Sequence, residues 1–128
     1  NEKKAGMPTV EVCRRHGLSP ARLAETLKLI SSFNALETGI VVEARKGEAG
    51  GREFDLLMHR AQIEIVAMNA DQAELARAAW RKYGKGNHPA DLNIGDCCAY
   101  ALAKYSGEPL LFKGDDFSQT DIQSAVTL

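Results

Sequence analysis

Apolar residues along this chain recur at two spacings, and the spacing sets the element. Between Phe33 and about Lys46 they fall three and four apart, at Leu36, Ile40, Val41 and Ala44, which predicts an amphipathic helix closed by Gly47. Gly50-Gly51 reads as a turn, and Arg52–Arg60 as a further helix with Phe54, Leu57 and Met58 inward. Ala70–Lys82 is strongly amphipathic, with Leu75, Ala79 and Trp80 alternating with charges. Gly95–Tyr105 is apolar nearly all round, the pattern of a buried helix. Two short runs read instead as strands: Ile63-Glu64-Ile65-Val66, rich in β-branched residues, and Pro109-Leu110-Leu111-Phe112. Tyr83–Leu92 carries Gly, Asn and Pro and reads as a loop, and Lys113-Gly114-Asp115-Asp116 as the turn leaving the second strand. At the front, a short helix is expected over Thr9–His16, between Pro8 and Gly17. A second opens at Ser19-Pro20 and runs to about Lys28, with Leu23, Leu27 and Ile30 on one side. Strands alternating with helices predict an α/β layer structure with a mainly parallel sheet.

Composition narrows the class. The 128 residues suit one domain, and 45% hydrophobic with 26% charged residues excludes a disordered, collagen-like or disulfide-scaffold chain. No apolar run approaches the roughly 20 residues of a membrane span. No apolar stretch of secretory-signal type follows Asn1-Glu2-Lys3-Lys4. The absence of an initiator Met is what a fragment or processed product would show. Three cysteines, Cys13 and the adjacent Cys97 and Cys98, form neither a disulfide framework nor a CxxC zinc pattern. They are expected as small buried residues in a reducing, cytoplasmic setting. A net charge of −1 excludes a generic polyanion binder, but the charge is uneven. Lys3, Lys4, Arg14, Arg15 and Arg22 crowd the front, and Glu108, Asp115, Asp116 and Asp121 the end. His16, His59 and His88 show no ligand spacing and read as surface or loop residues. Arg77, Arg81, Lys82, Lys85 and His88 read first as a solvated helix face and second as an RNA path, and Trp80 as core or dimer packing.

Carboxylates are the candidate chemistry. In open parallel sheets ligands sit beyond the carboxyl ends of the strands, which selects Asp115 and Asp116. Asp96 opens an otherwise apolar helix, where an acid either caps the N-terminus or serves a site. Glu37 lies between Leu36 and Ile40, where burial would be costly without a partner. Carboxylates gathered together call for a divalent cation such as Mg²⁺ or Mn²⁺, which promotes phosphodiester hydrolysis. Spacing alone does not bring the three regions together.

From about Leu29 to Ile122 the chain resembles a PIN domain of the VapC toxin type. The resemblance is carried by Leu36-Glu37-Thr38-Gly39-Ile40-Val41-Val42-Glu43, by Tyr83-Gly84-Lys85-Gly86-Asn87-His88-Pro89-Ala90, by Leu92-Asn93-Ile94-Gly95-Asp96-Cys97 and by Pro109-Leu110-Leu111-Phe112-Lys113-Gly114-Asp115-Asp116-Phe117. It implies a PIN-like three-layer α/β fold. It also implies a Mg²⁺-dependent ribonuclease of a toxin–antitoxin pair, commonly dimeric and silenced by a small antitoxin. Glu37 matches the second family acid, Asp96 the third, and Asp115 or Asp116 the fourth, all as catalytic metal ligands. Asn93 stands as a polar helper or a loop hydrogen bond. The family's first strand and its Asp have no counterpart here, since no Asp precedes Asp55. The expectation is therefore a truncated PIN domain with one ligand lost and neighbouring strand edges unpaired.

Residues Ala5 to Ala21 resemble the helix-turn-helix of insertion-sequence transposases, which implies phosphate contacts from Arg14 and Arg15 and places Arg22 on a recognition helix. The plainer alternative is a basic amphipathic hairpin packed on the rest. Two segments follow: 1–28, helix-turn-helix-like, with a helical hairpin in place of the N-terminal strand, and 29–128, PIN-like. Three functions compete: a weakened or inactive metal-dependent ribonuclease, a dead remnant that binds antitoxin or dimerises, and DNA binding through the front helices.

Overall fold

The structure, a computed structural model, describes residues 9–11, 27–111 and 116–125. Four strands form one sheet: β1 (Thr9–Glu11), β2 (Lys28–Ser31), β3 (Ile63–Val66) and β4 (Leu110–Leu111), in the order β3-β2-β1-β4. β2 and β3 pair parallel in full register from Lys28↔Ile63 to Ser31↔Val66. β1 pairs antiparallel with both β2 and β4. Three strands thus run in one direction and β1 runs against them.

The front of the chain differs from its expected form. Thr9–Glu11, expected to open a helix, is a strand in the slot between β2 and β4. The edges expected to stand unpaired are paired through it, because a strand left beside open backbone groups finds a partner. Lys28–Ser31, expected at the end of a helix, is also a strand. Its apolar run is too short for periodicity to separate helix from strand, and the full ladder to β3 decides the matter. The rest of the expected helical hairpin lies outside the described residues, and Cys13 with it.

Three helices complete the layers: α1 (Ser32–Arg60), α2 (Ala70–Tyr83) and α3 (Ile94–Ser106). α1 is two limbs broken at Gly47, whose φ of 69° interrupts the helix. Gly50-Gly51, expected as a turn, is helical and buried. A Cβ on Gly50 would meet the Lys46 Cβ at 2.5 Å, and one on Gly51 the Glu43 Cγ at 2.8 Å. The glycines therefore let the second limb fold closely against the first. Tyr83, expected in the loop, closes α2 and is buried, and the loop is pinned by a bridge between Gly84 and Leu92.

The core sits on α3. Every residue from Gly95 to Ala103 is buried, Cys97 and Cys98 included, as the all-round apolar pattern predicts. Alanines on both helices, Ala76 and Ala79 from α2 and Ala99, Ala101 and Ala103 from α3, share this cluster with Leu102, Leu92 and Leu110. A smaller cluster joins Ile30, Ala35 and Met58 under α1. The first limb of α1 departs from expectation. Leu36 (62% exposed), Ile40 (60%), Val41 and Ala44 face outward, and Leu57 on the second limb is exposed too. Their spacing is helical, but the described sheet leaves that face uncovered. Among the described residues no helix is long and apolar enough to cross a membrane.

The candidate acidic site

β2 ends at Ser31, whose hydroxyl accepts from the Phe33 amide at 3.3 Å and caps α1. The next hydroxyl, Ser32 Oγ, accepts from the Met68 amide at 3.1 Å and ties the segment after β3 to the same point. The first turns of α1 therefore stand at the carboxyl ends of β2 and β3. Asn34 and Glu37, three apart, share a helix face there.

α3 begins against that face. Asn93 is its N-cap: the Asn93 side chain accepts from the Asp96 amide at 2.8 Å, and Asp96 Oδ2 accepts from the Asn93 amide at 3.1 Å. This reciprocal box fixes Asp96 in one orientation, with its negative charge on the positive end of the helix. Asp96 is thus a cap, one of the two roles open to it. The expected loop hydrogen bond of Asn93 is that cap. Between the two capping residues lies Gly95. A Cβ at Gly95 would meet Glu37 Oε1 at 2.7 Å, so the missing side chain is what lets the Glu37 carboxylate reach the start of α3. The Glu37 carboxylate therefore lies at Gly95, the residue that precedes Asp96 in the chain.

Asn34 completes this corner. It is 1% exposed, and its Nδ2 donates to the Gly95 carbonyl at 3.0 Å, while its Oδ1 has no partner. A buried amide oxygen left unpaired costs about 1–3 kcal/mol, which a bound water or cation would offset. Sequence reasoning missed Asn34. The available signal was a polar residue one turn before Glu37, on the same face. Burial first, and the nearby Glu37 charge second, push the Cys98 thiol up to about 11 and keep it protonated and inert.

The other predicted residues fare differently. Asp116 is half-buried ahead of the 3₁₀ turn Phe117–Gln119, and Asp115 lies outside the described residues. Among the described residues no group of three or more His, Cys, Asp or Glu side chains gathers that could hold a metal ion, so Asp116 does not complete a set with Glu37 and Asp96. Arg14, Arg15 and Arg22 also lie outside the described residues. β1 offers no first acid at this corner. It runs against β2, so Glu11 pairs in register with Lys28, at the end of the sheet away from Ser31.

A three-layer α/β sheet with acids beyond its carboxyl ends is the class that the PIN domain defines, and the PIN domain profile matches residues 14–123. The chain belongs to the PIN domain family. It is 61% identical over 99 residues to Ribonuclease VapC30 of Mycobacterium tuberculosis, an alignment covering 77% of this chain and 76% of that protein. It is 57% identical over 98 residues to Ribonuclease VapC of Mycolicibacterium smegmatis, with 77% and 76% covered. With Ribonuclease VapC42 of Mycobacterium tuberculosis it shares 46% over 99 residues, again 77% and 76%. It is therefore a VapC-type PIN domain.

Proposed function

We propose that this chain is a divalent-cation-dependent ribonuclease of the toxin–antitoxin type, with Glu37 and Asp96 as catalytic metal ligands. The observation that supports this reading is the approach of the Glu37 carboxylate to Gly95, the residue before the capping acid Asp96. Carboxylate oxygens suit Mg²⁺ or Mn²⁺. The orphaned Asn34 Oδ1 beside them is a further hard oxygen. Of the two acids that the resemblance offers for the fourth position, Asp116 does not join Glu37 and Asp96, and Asp115 lies outside the described residues. Such an ion, when bound, lowers the pKa of water and stabilises a leaving oxygen. The chain's own part is orientation: the Asn93 cap holds Asp96, the Asn34–Gly95 hydrogen bond fixes α1 against α3, and Gly95 leaves room for Glu37. A small antitoxin is the expected protein partner.

A second reading, an inactive PIN domain that binds its partner, is favoured by the uncovered Leu36–Ile40 face beside Glu37 and by the absence, among the described residues, of a third acid gathered with Glu37 and Asp96. Cleavage of a labelled RNA with and without Mg²⁺ separates the two. For the ribonuclease, Glu37→Gln or Asp96→Asn lowers Mg²⁺-dependent cleavage by about 100-fold or more. Cleavage unchanged in both variants overturns the site. No Mg²⁺-dependent cleavage by the unaltered chain, with Mn²⁺ also failing to bind in calorimetry, leaves the second reading.

A further inference from the structure

The face of α2 that points away from α3 has no place in the acidic site, yet its composition is selective. Gln72, Ala76, Ala79 and Tyr83 are the buried positions of this helix. Arg77, Trp80, Arg81 and Gly84 fall three and four apart along another side. Trp80 is 52% exposed, which removes core packing from the two expected roles of core or dimer packing, and it is the only tryptophan of the chain. Arg81, Lys82 and Lys85 are exposed, and the Arg77 guanidinium, 73% exposed, pairs loosely with the equally open Glu74 at 3.9 Å. Between Glu74 and Asp91 the chain carries Arg77, Arg81, Lys82 and Lys85 and no acid. A large aromatic surface flanked by Arg77, Arg81 and Lys85, with Glu74 beside Arg77, in a chain of net charge −1, is a local feature and not an overspill of composition.

Its position is also defined. The indole lies on Gly84: a Cβ there would meet Trp80 Cδ1 at 2.6 Å. Gly84 bridges to Leu92, and the Lys85 amide donates to the Leu92 carbonyl at 2.9 Å. Asn93, the cap that orients Asp96, is the next residue. The indole and Lys85 therefore lie one bridge away from the segment that opens α3.

We propose that this face of α2 docks single-stranded RNA, with an unpaired base stacked on Trp80 and the flanking phosphates held by Arg77, Arg81 and Lys85. The inference rests on the ribonuclease reading and adds to it where the substrate enters. A polyanion fits the charge, and an unpaired base fits the indole, since every base presents a π-face to an aromatic platform. A duplex keeps its bases stacked inside and meets the phosphate contacts alone.

The test uses the full chain in EDTA, a fluorescein-labelled single-stranded RNA of about 12 nucleotides, and the same sequence as a blunt duplex. Titration with unlabelled single strand quenches Trp80 emission, and duplex quenches it far less. Trp80→Leu weakens single-strand binding about tenfold or more, and Trp80→Phe restores part of the loss. Arg77→Gln with Arg81→Gln weakens binding to both RNAs and lowers the slope of log K against log salt by about 1.4 for the single strand. Unchanged emission on binding, or undiminished binding by Trp80→Leu, overturns the inference. So does a change of oligomeric state in Trp80→Leu by sedimentation velocity with RNA binding intact, which would give the face to a second copy of the chain. A chain that cleaves RNA in an Asp96-dependent way but shows any of these results loses this inference and keeps the ribonuclease reading. A chain that binds RNA through Trp80 without Asp96-dependent cleavage loses the ribonuclease reading alone.

Discussion

α3 and the first limb of α1 both carry apolar residues at helical spacing and end in opposite surroundings. α3 is apolar on every side and is buried from Gly95 to Ala103 between α2 and the sheet. The limb of α1 has one apolar stripe, at Leu36 and Ile40, and that stripe faces outward, while its polar Asn34 is buried. Helical periodicity reports that a helix has an apolar face. It does not report whether the covering surface belongs to the same chain. The burial of Asn34 and the exposure of Leu36 follow from the side that α1 turns to its neighbours: Asn34 donates to the Gly95 carbonyl and Ala35 packs with Ile30 and Met58, which leaves Leu36 and Ile40 on the open side.

The difference should be large in stability. Leu102 is 1% exposed within the main cluster, and Leu102→Ala removes buried methyl groups from a helix with no slack around it. A loss of about 2–5 kcal/mol is expected in urea unfolding. Ile40→Ala, at 60% exposure, should change stability by no more than about 0.5 kcal/mol. Equal losses at the two positions would show that the Leu36–Ile40 stripe is covered in the isolated chain.

The meeting point of the two helices can be altered by one methyl group. Gly95→Ala places a Cβ within 2.7 Å of the present Glu37 Oε1. The clash is with the end of a flexible side chain, so the fold should hold, with stability changed by about 1 kcal/mol or less. Glu37 must swing away from Asp96, however, and Mn²⁺ affinity in calorimetry should fall about tenfold or more. Undiminished affinity in a folded Gly95→Ala chain would show that Glu37 is not a ligand.

These two regions also mark what a sequence can disclose. α3, α2, β3 and β4 were legible because their patterns are local: an all-apolar helix opened by an acid, an amphipathic helix with a clear charge alternation, and two short apolar runs bounded by turn residues. β2 was not, because Leu29-Ile30 fits a helix face as well as a strand until β3 is beside it. β1 was not, because its strand form depends on the open slot between β2 and β4. Gly50-Gly51 has the composition of a turn, and only the close approach of Glu43 and Lys46 explains it inside a helix. Of the site, Glu37 and Asp96 were legible through resemblance. The approach of Glu37 to Gly95 and the buried Asn34 needed the tertiary structure.

A smaller effect belongs to the far side of α3. Asp121, in the segment after the 3₁₀ turn, accepts from Tyr100 Oη at 2.5 Å and Tyr83 Oη at 3.4 Å through Oδ1, and from Lys104 Nζ at 2.7 Å through Oδ2. One carboxylate thus joins α2, α3 and the chain end that pairs along β4. Burial alone would raise the Asp121 carboxyl, but the hydrogen bonds from Lys104 and Tyr100 and the Lys104 charge outweigh it and hold the carboxyl at about 2. A depressed carboxyl stabilises the fold above its ordinary value of 3.8, and the gain is lost as pH falls from about 4 toward 2. The Lys104–Asp121 pair is half open to solvent, so screening limits the gain at neutral pH to about 1 kcal/mol or less. Asp121→Asn should therefore lower the melting temperature by about 4 °C or less at pH 7. The difference from the unaltered chain should shrink steadily below pH 4 and close near pH 2. A difference that stays constant down to pH 2 would assign the effect to packing of the chain end on Tyr83 and Tyr100, with the carboxylate charge contributing nothing.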